Sequence, residues 1–198
     1  MRMGWIRHGR TSWNAEGKIQ GQTDIPLNEE GTAQARMLAA RLAGDELRWD
    51  AIISSDLRRA RETACIISAR LGIPLLPADH RLRERGFGEI EGTTEQERLA
   101  RWGPDWRRTY EGQESDADVT ARGLAFIADM REQAPQRNLL VVSHGSFLNQ
   151  LLHSLCDGLD DSYICNMSYS IVELQEGAWV SLLHNCALHL QSDFGGHV

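Results

Sequence analysis

The chain reads as an α/β protein, a three-layer α/β/α sandwich on a mostly parallel sheet. Three observations carry that expectation. Short apolar runs alternate with segments whose apolar residues recur at helical spacing, the pattern of strands covered by helices on both faces. Two of the runs, Met3 to Ile6 and Leu139 to Val142, lead into histidine-glycine pairs, His8-Gly9 and His144-Gly145. The 198 residues, without linker, repeat or low-complexity tract, suit one domain over 1–198 with a small lid-like segment at about 93–115.

Each element has its own signal. Residues 3–6 form a short buried strand. The polar, glycine-containing stretch 10–27 reads as a loop closing on Ile25-Pro26-Leu27. Asn28 is an expected N-cap, and Ala35, Leu38, Ala39 and Leu42 mark one face of a helix that stops at Gly44. Asp50 to Ser54 is a second strand. Ser55 or Asp56 is expected to cap the next helix, whose stripe is Leu57, Ala60, Ala64, Ile67 and Leu71 and which ends at Gly72-Ile73-Pro74. Ile73 to Leu76 reads as a short edge strand, and 93–110 as irregular, tryptophan-rich helix.

Asp116 opens a helix with Val119, Phe126, Ile127 and Met130 on its apolar face, ending before Pro135. Leu139 to Ser143 is the strongest strand, backed by a helix carrying Leu148, Leu151, Leu152 and Leu155. Tyr169 to Leu174 and Trp179 to Leu183 form two more strands around a Gln175-Glu176-Gly177 turn, and Gly195 to Val198 reads as a frayed end.

Bulk properties narrow the function. Hydrophobic content of 41% and charged content of 25% are ordinary for a globular protein. A net charge of -7 and a pI near 5.5 argue against nucleic acid or an anionic membrane as partner. A small anionic substrate must then be drawn in by local arginines. Cys65, Cys156, Cys165 and Cys186 show no C-x-x-C spacing and read as buried apolar residues in a reducing cytosol. The N-terminal apolar run is too short for a signal peptide or a membrane span, which points to the cytoplasm. The oligomeric state is not legible, and a homodimer stays open.

In open α/β sheets ligands bind beyond the carboxyl ends of the strands, where the two His-Gly pairs are expected. Arg7 beside His8 suggests an anionic ligand, most simply a phosphoryl group. Arg58, Arg59 and Arg61 fall in the first turn of a helix, where the dipole disfavours each cation by roughly 0.3–1 kcal/mol. A bound anion facing at least one of them removes that conflict, and is favoured over the alternative, pairing with Glu62 and other acids or exposure to solvent. Periodicity alone does not choose between Arg58 and Arg59.

Five blocks occur in order: Arg7-His8-Gly9-x-Thr11-x-Trp13-Asn14; Gln20-Gly21-x-x-Asp24-x-Pro26-Leu27; Ser54-Ser55-Asp56-Leu57-x-Arg59-Ala60; Leu82-x-Glu84-x-x-Phe87-Gly88-x-x-Glu91-Gly92; and Ser143-His144-Gly145. In these blocks the chain resembles the histidine phosphatase family, also called phosphoglycerate-mutase-like, from about residue 3 to about 190. The resemblance implies that His8 is a nucleophile, transiently phosphorylated. It implies that Arg7, Arg59 and His144 neutralise the phosphoryl oxygens, with Arg59 chosen because it directly precedes Ala60. Asn14 matches a further phosphate contact, while Thr11, Gln20, Gly21 and Gly145 match the pocket rim. Glu84 matches the general acid and base, with Glu89 and Glu91 as neighbouring alternatives.

The family reading implies a metal-independent phosphatase of small phosphorylated metabolites, without cofactor; the alternative is a phosphoglycerate mutase primed by a bisphosphoglycerate. Arg10 departs from the usual Glu or Gln and is expected to add positive charge at the mouth. The stretch from Gly92 to Asp116 is short for a mutase, and Gly112-Gln113-Glu114-Ser115 resembles a turn of phosphatase members, although Trp106 to Tyr110 is faintly mutase-like. Trp102 and Trp106 fit either a substrate lid or packing. His184-Asn185-Cys186 with His189 reads as packing rather than a metal site. Gly86-Phe87-Gly88 is not a dinucleotide fingerprint, and no Walker-type loop is present.

Overall fold

A computed structural model describes residues 1–191; the frayed end expected at 195–198 lies outside them. Five strands, β1 (Arg2–Arg7), β2 (Ala51–Ser54), β3 (Leu139–Ser143), β4 (Tyr169–Gln175) and β5 (Ala178–Cys186), form one sheet in the order β2-β3-β1-β4-β5. β2, β3 and β1 are parallel; β4 pairs antiparallel with β1, and β5 antiparallel with β4. The expected sheet is therefore met in three neighbouring parallel strands, with the β4-β5 hairpin added beside β1.

Alternation along the strands builds two cores. Met3, Trp5 and Val141 face α6 (Asp116–Gln133) and α7 (Gly145–Leu155) through Val119, Phe126, Phe147, Leu148, Leu151 and Leu152. Ile6, Leu140 and Val142 face α2 (Glu29–Gly44) and α3 (Arg58–Leu71) through Ala35, Leu38, Ala39, Leu42, Ala60, Ala64 and Ile67. Side chains of successive strand residues point to opposite faces, so a strand buried on both sides must be apolar throughout.

Three local expectations are corrected. Neither Ser55 nor Asp56 caps α3; Leu57 is the N-cap and has no capping side chain. Asp24, distant in sequence, accepts from the Arg58 N–H at 2.6 Å, while Asp56 pairs with Arg83. The edge strand at Ile73–Leu76 shrinks to one parallel bridge between Leu75 and Ile52. Within the 10–27 loop, α1 (Ser12–Ala15) forms one turn closed by a capping box between Thr11 and Asn14. Asn28 caps α2 as read, bonding the Gly31 N–H at 2.8 Å.

The stretch 93–110 resolves into α4 (Glu95–Trp102) and α5 (Trp106–Thr109). Trp106 is buried between the Arg98 and Arg107 guanidiniums and donates to Glu95, so it packs rather than faces a substrate. Cys156 is buried and Cys186 half-buried, but Cys65 and Cys165 are exposed, against expectation. Cys65 lies on the solvent side of α3, and Cys165 in the loop before β4.

Candidate active site

Register positions the two histidines. Arg7 of β1 sits opposite Ser143 of β3, so His8 and His144 leave adjacent parallel strands at the same level. The His8 N–H donates to the Ser143 carbonyl at 3.0 Å, and the imidazoles stand 5.1 Å apart between centroids. β2 runs parallel beside β3, and the Ser55 N–H donates to Val142 at 2.9 Å. The chain then turns into α3, which delivers Arg59 to the same carboxyl end.

The protonation of His8 follows from its partners. Nε2 lies 3.2 Å from Arg59 Nε, which can only donate, so Nε2 carries a lone pair. Nδ1 lies 2.7 Å from the Gly9 carbonyl and holds the proton. Burial, then the Arg59 and Arg7 charges, hold His8 well below the ordinary imidazole value. Burial, with Arg59, His8 and Arg7 nearby, lowers His144 in the same way. Both ring nitrogens of His144 are buried without a hydrogen-bond partner, an uncommon condition for a polar group.

Of the three helix-start arginines, only Arg59 turns inward. It is fully buried, and its fork is filled: Nη1 donates to the Thr23 carbonyl at 2.8 Å and Nη2 to Gly21 at 2.7 Å. Burial lowers it to about 10, which leaves it charged at neutral pH. Arg58 pairs with Glu62 on the surface. Arg7 Nη1 donates to the Ile164 carbonyl at 2.5 Å, and the Tyr163 ring lies 4.8 Å from its guanidinium carbon. Its Nε is buried and unpartnered.

The three acidic alternatives separate cleanly. Glu84 lines the cleft, and its carboxylate accepts from the N–H groups of Arg85, Ser146 and Phe147 at 2.8–3.1 Å, the last two at the start of α7. Glu91 is consumed by structure: it accepts from the N–H groups of Gln22, Thr23 and Phe87 and from the Thr23 hydroxyl. Glu89 is exposed and pairs with Arg101. Gly21, at φ +50°, closes against Glu91, and any Cβ there would strike that carboxylate. The 20–23 loop that accepts Arg59 is thus fixed by an acid seventy residues on.

The cleft holds about 200 Å³, bordered by Arg7, His8, Asn14, Gln20, Gly21, Arg59, Glu84 and Gly145; His144, fully buried beside His8, is not part of its wall. Thr11 does not border it. That side chain is fully buried, donating to Gln20 Oε1 at 2.9 Å and capping α1. Arg10 does not border it either, because Glu30 holds its guanidinium in two bonds at 2.8 and 2.9 Å. Residues 93–115 contribute no wall, although Glu114 and Arg122 brace the chain near Glu84: Arg122 bonds Glu114 and the carbonyls of Arg81 and Arg83.

Sequence reasoning missed Lys18, Ile19, Phe87, Ser146 and Tyr163, all on the cleft wall. Phe87 stood within a quoted block; the others lie in loops or at a helix start whose folding no local pattern reveals. A larger groove of about 760 Å³ runs along the outer side of α3, past Asp24, Arg61 and Ile66, and touches neither histidine. Among the described residues, no group of three or more His, Cys, Asp or Glu side chains is arranged to hold a metal. No helix there is long and apolar enough to cross a membrane.

The profile of the histidine phosphatase superfamily (branch 1) matches residues 5–187, which covers every residue of this cleft. The chain belongs to that superfamily. It is 35% identical over 188 residues to the uncharacterised phosphatase PhoE of Bacillus subtilis, covering 93% of this chain and 94% of that protein. It is 40% identical over 167 residues to a 2,3-bisphosphoglycerate-dependent phosphoglycerate mutase of Methylobacterium, covering 77% and 79%. Among solved structures, a mycobacterial glucosyl-3-phosphoglycerate phosphatase in complex with VO3 superposes with a TM-score of 0.84 at 28% identity, covering 93% of this chain and 99% of that one. This member of the superfamily therefore has both phosphatase and mutase relatives.

Proposed function

We propose that the protein is a metal-independent phosphatase that hydrolyses small phosphate monoesters through a phosphohistidine on His8. The observation that carries this reading is the His8 tautomer. A buried imidazole keeps its Nε2 lone pair facing a cationic cleft, against Arg59 Nε at 3.2 Å. His8 Nε2 forms a bond to phosphorus as the ester P–O bond breaks. Arg7, the Arg59 Nε–H released from His8 Nε2 as that nitrogen attacks, and the one N–H of neutral His144 meet the phosphoryl oxygens, whose charge peaks in the loose transition state. Protonated Glu84 gives its proton to the departing alcohol oxygen. The carboxylate then takes a proton from water as that water attacks phosphorus, the N–P bond breaks and inorganic phosphate leaves. Gln20, Gly21, Asn14 and Gly145 shape the rim, with Thr11 holding Gln20 from behind.

The Methylobacterium relative supports a second reading, a phosphoglycerate mutase in which the phosphoenzyme survives to rephosphorylate its product. That course needs water kept out. The short 93–115 segment adds no wall to the cleft, which favours hydrolysis.

Phosphate release from p-nitrophenyl phosphate in excess EDTA decides between them. Wild type should turn over and His8→Ala should not, with acid-labile, base-stable phosphate trapped on wild type only. Equal rates in the two proteins would sink the phosphohistidine. Isomerisation of phosphoglycerate only with added bisphosphoglycerate, without phosphate release, would establish the mutase.

A further inference from the structure

We propose that Asn185, at the end of the outermost strand, is a positioning residue of the phosphate pocket. It acts through the 162–166 segment on Arg7 and His8. The inference rests on the reading above that these two residues meet phosphate.

The segment wraps the end of β1 tightly. Arg7 Nη1 donates to Ile164 O at 2.5 Å, and the Tyr163 ring covers the same guanidinium at 4.8 Å. Asn166 Nδ2 donates to the His8 carbonyl at 3.0 Å and to Asn14 Oδ1 at 3.2 Å. The Met167 N–H donates to Arg7 O at 3.1 Å, and the Arg7 N–H to Ser168 O at 3.2 Å. Two cleft residues, Arg7 and Asn14, therefore take their places partly from a loop that would otherwise hang between α7 and β4.

Asn185 holds that loop. Its Nδ2 donates to Tyr163 O at 2.9 Å and Ser162 Oγ at 3.0 Å, while its Oδ1 accepts from the Cys165 N–H at 3.1 Å. The amide orientation is dictated, since a carbonyl only accepts and a backbone N–H only donates. The residue sits at φ +47°, beside the register shift between β4 and β5, with its own N–H on Ser170 Oγ at 2.9 Å. Asparagine tolerates that backbone better than most residues. One side chain thus fixes Ser162, Tyr163 and Cys165; Tyr163 itself covers Arg7, and the residues between and after them, Ile164 and Asn166, reach Arg7, His8 and Asn14.

Asn185→Gly and Asn185→Asp separate the side chain from the backbone. Glycine keeps φ positive and removes every amide contact. Aspartate keeps the shape but turns an oxygen toward the Tyr163 carbonyl. Full-length proteins should be compared for kcat and KM on p-nitrophenyl phosphate, inhibition by inorganic phosphate, and thermal unfolding. Both variants should raise KM and the phosphate inhibition constant by about tenfold or more, since small displacements at a binding site are costly. Simple loss of folded enzyme would lower kcat and leave both constants in place. A glycine variant with wild-type constants would overturn the proposal, leaving Asn185 only a backbone role. Wild type that turns over p-nitrophenyl phosphate but shows no phosphate inhibition would overturn it too. Wild type that neither turns over nor binds phosphate would remove the pocket reading, and this inference with it.

Discussion

A nucleophilic histidine must keep a lone pair at a pH where a free imidazole begins to lose it. His8, the proposed nucleophile, is held neutral by burial and two neighbouring guanidiniums; the Gly9 carbonyl works against them by favouring the imidazolium, but it fixes the single proton on Nδ1. Because desolvation and like charge both disfavour imidazolium, His8 and His144 should stay neutral well below a free histidine's midpoint of about 6.5. Histidine-selective NMR titration checks this, and a midpoint near 6.5 for either ring would contradict it. In the proposed mechanism Glu84 supplies the complementary chemistry. Glu84→Gln should lower kcat by about 10²–10⁴ for an alkyl phosphate ester. The loss should shrink for p-nitrophenyl phosphate, whose leaving oxygen needs no proton; equal losses on both esters would remove Glu84 from the acid role.

At the scale of elements, α3 shows how a helix start is made to serve a site. Its first turn carries three arginines and no local cap, a poor N-terminus by composition. The Asp24 carboxylate brings both a cap and a negative charge from the 20–27 loop, whose Gly21 and Thr23 carbonyls accept Arg59. Asp24→Ala should therefore cost about 1 kcal/mol of stability, as loss of a capping side chain does. It should also weaken phosphate inhibition, since the same loop orients Arg59. Chemical denaturation reads the first effect and steady-state inhibition the second. An unchanged denaturation midpoint would show that the Arg58 N–H is satisfied equally well by water. The β3 strand was the easiest element to read because five consecutive apolar or small residues, Leu139 to Ser143, are buried on both faces. The α3 cap was misread because the residue that supplies it lies over thirty positions upstream.

For the whole molecule, buried imidazoles link charge to stability. His8 and His144 are held well below the ordinary value, and burial lowers His189 to about 4. Each resists protonation when folded and accepts a proton near 6.5 when unfolded, so the unfolded state binds more protons as pH falls. Stability should be level above about 6.5 and should decline as pH drops from there toward 5, above the range where ordinary carboxylates titrate. Urea midpoints at neutral pH and near pH 5 test this; a midpoint that rises on acidification would be incompatible with neutral buried histidines.

The layers, the parallel strands that carry the cleft and the candidates His8, His144, Arg59 and Glu84 were legible in local pattern and ordered motifs, because burial on two faces and histidines at strand ends leave short-range signatures. What only the tertiary structure decided is which polar groups meet. It separated Glu84 from Glu91, whose oxygens are committed to Gln22, Thr23 and Phe87, and it removed Arg10 and Thr11 from the cleft wall. It also joined Asn185 to a loop twenty residues earlier. Hydrogen bonds of this kind join groups far apart along the chain. They depend on where loops cross in space, and side-chain spacing carries no record of that.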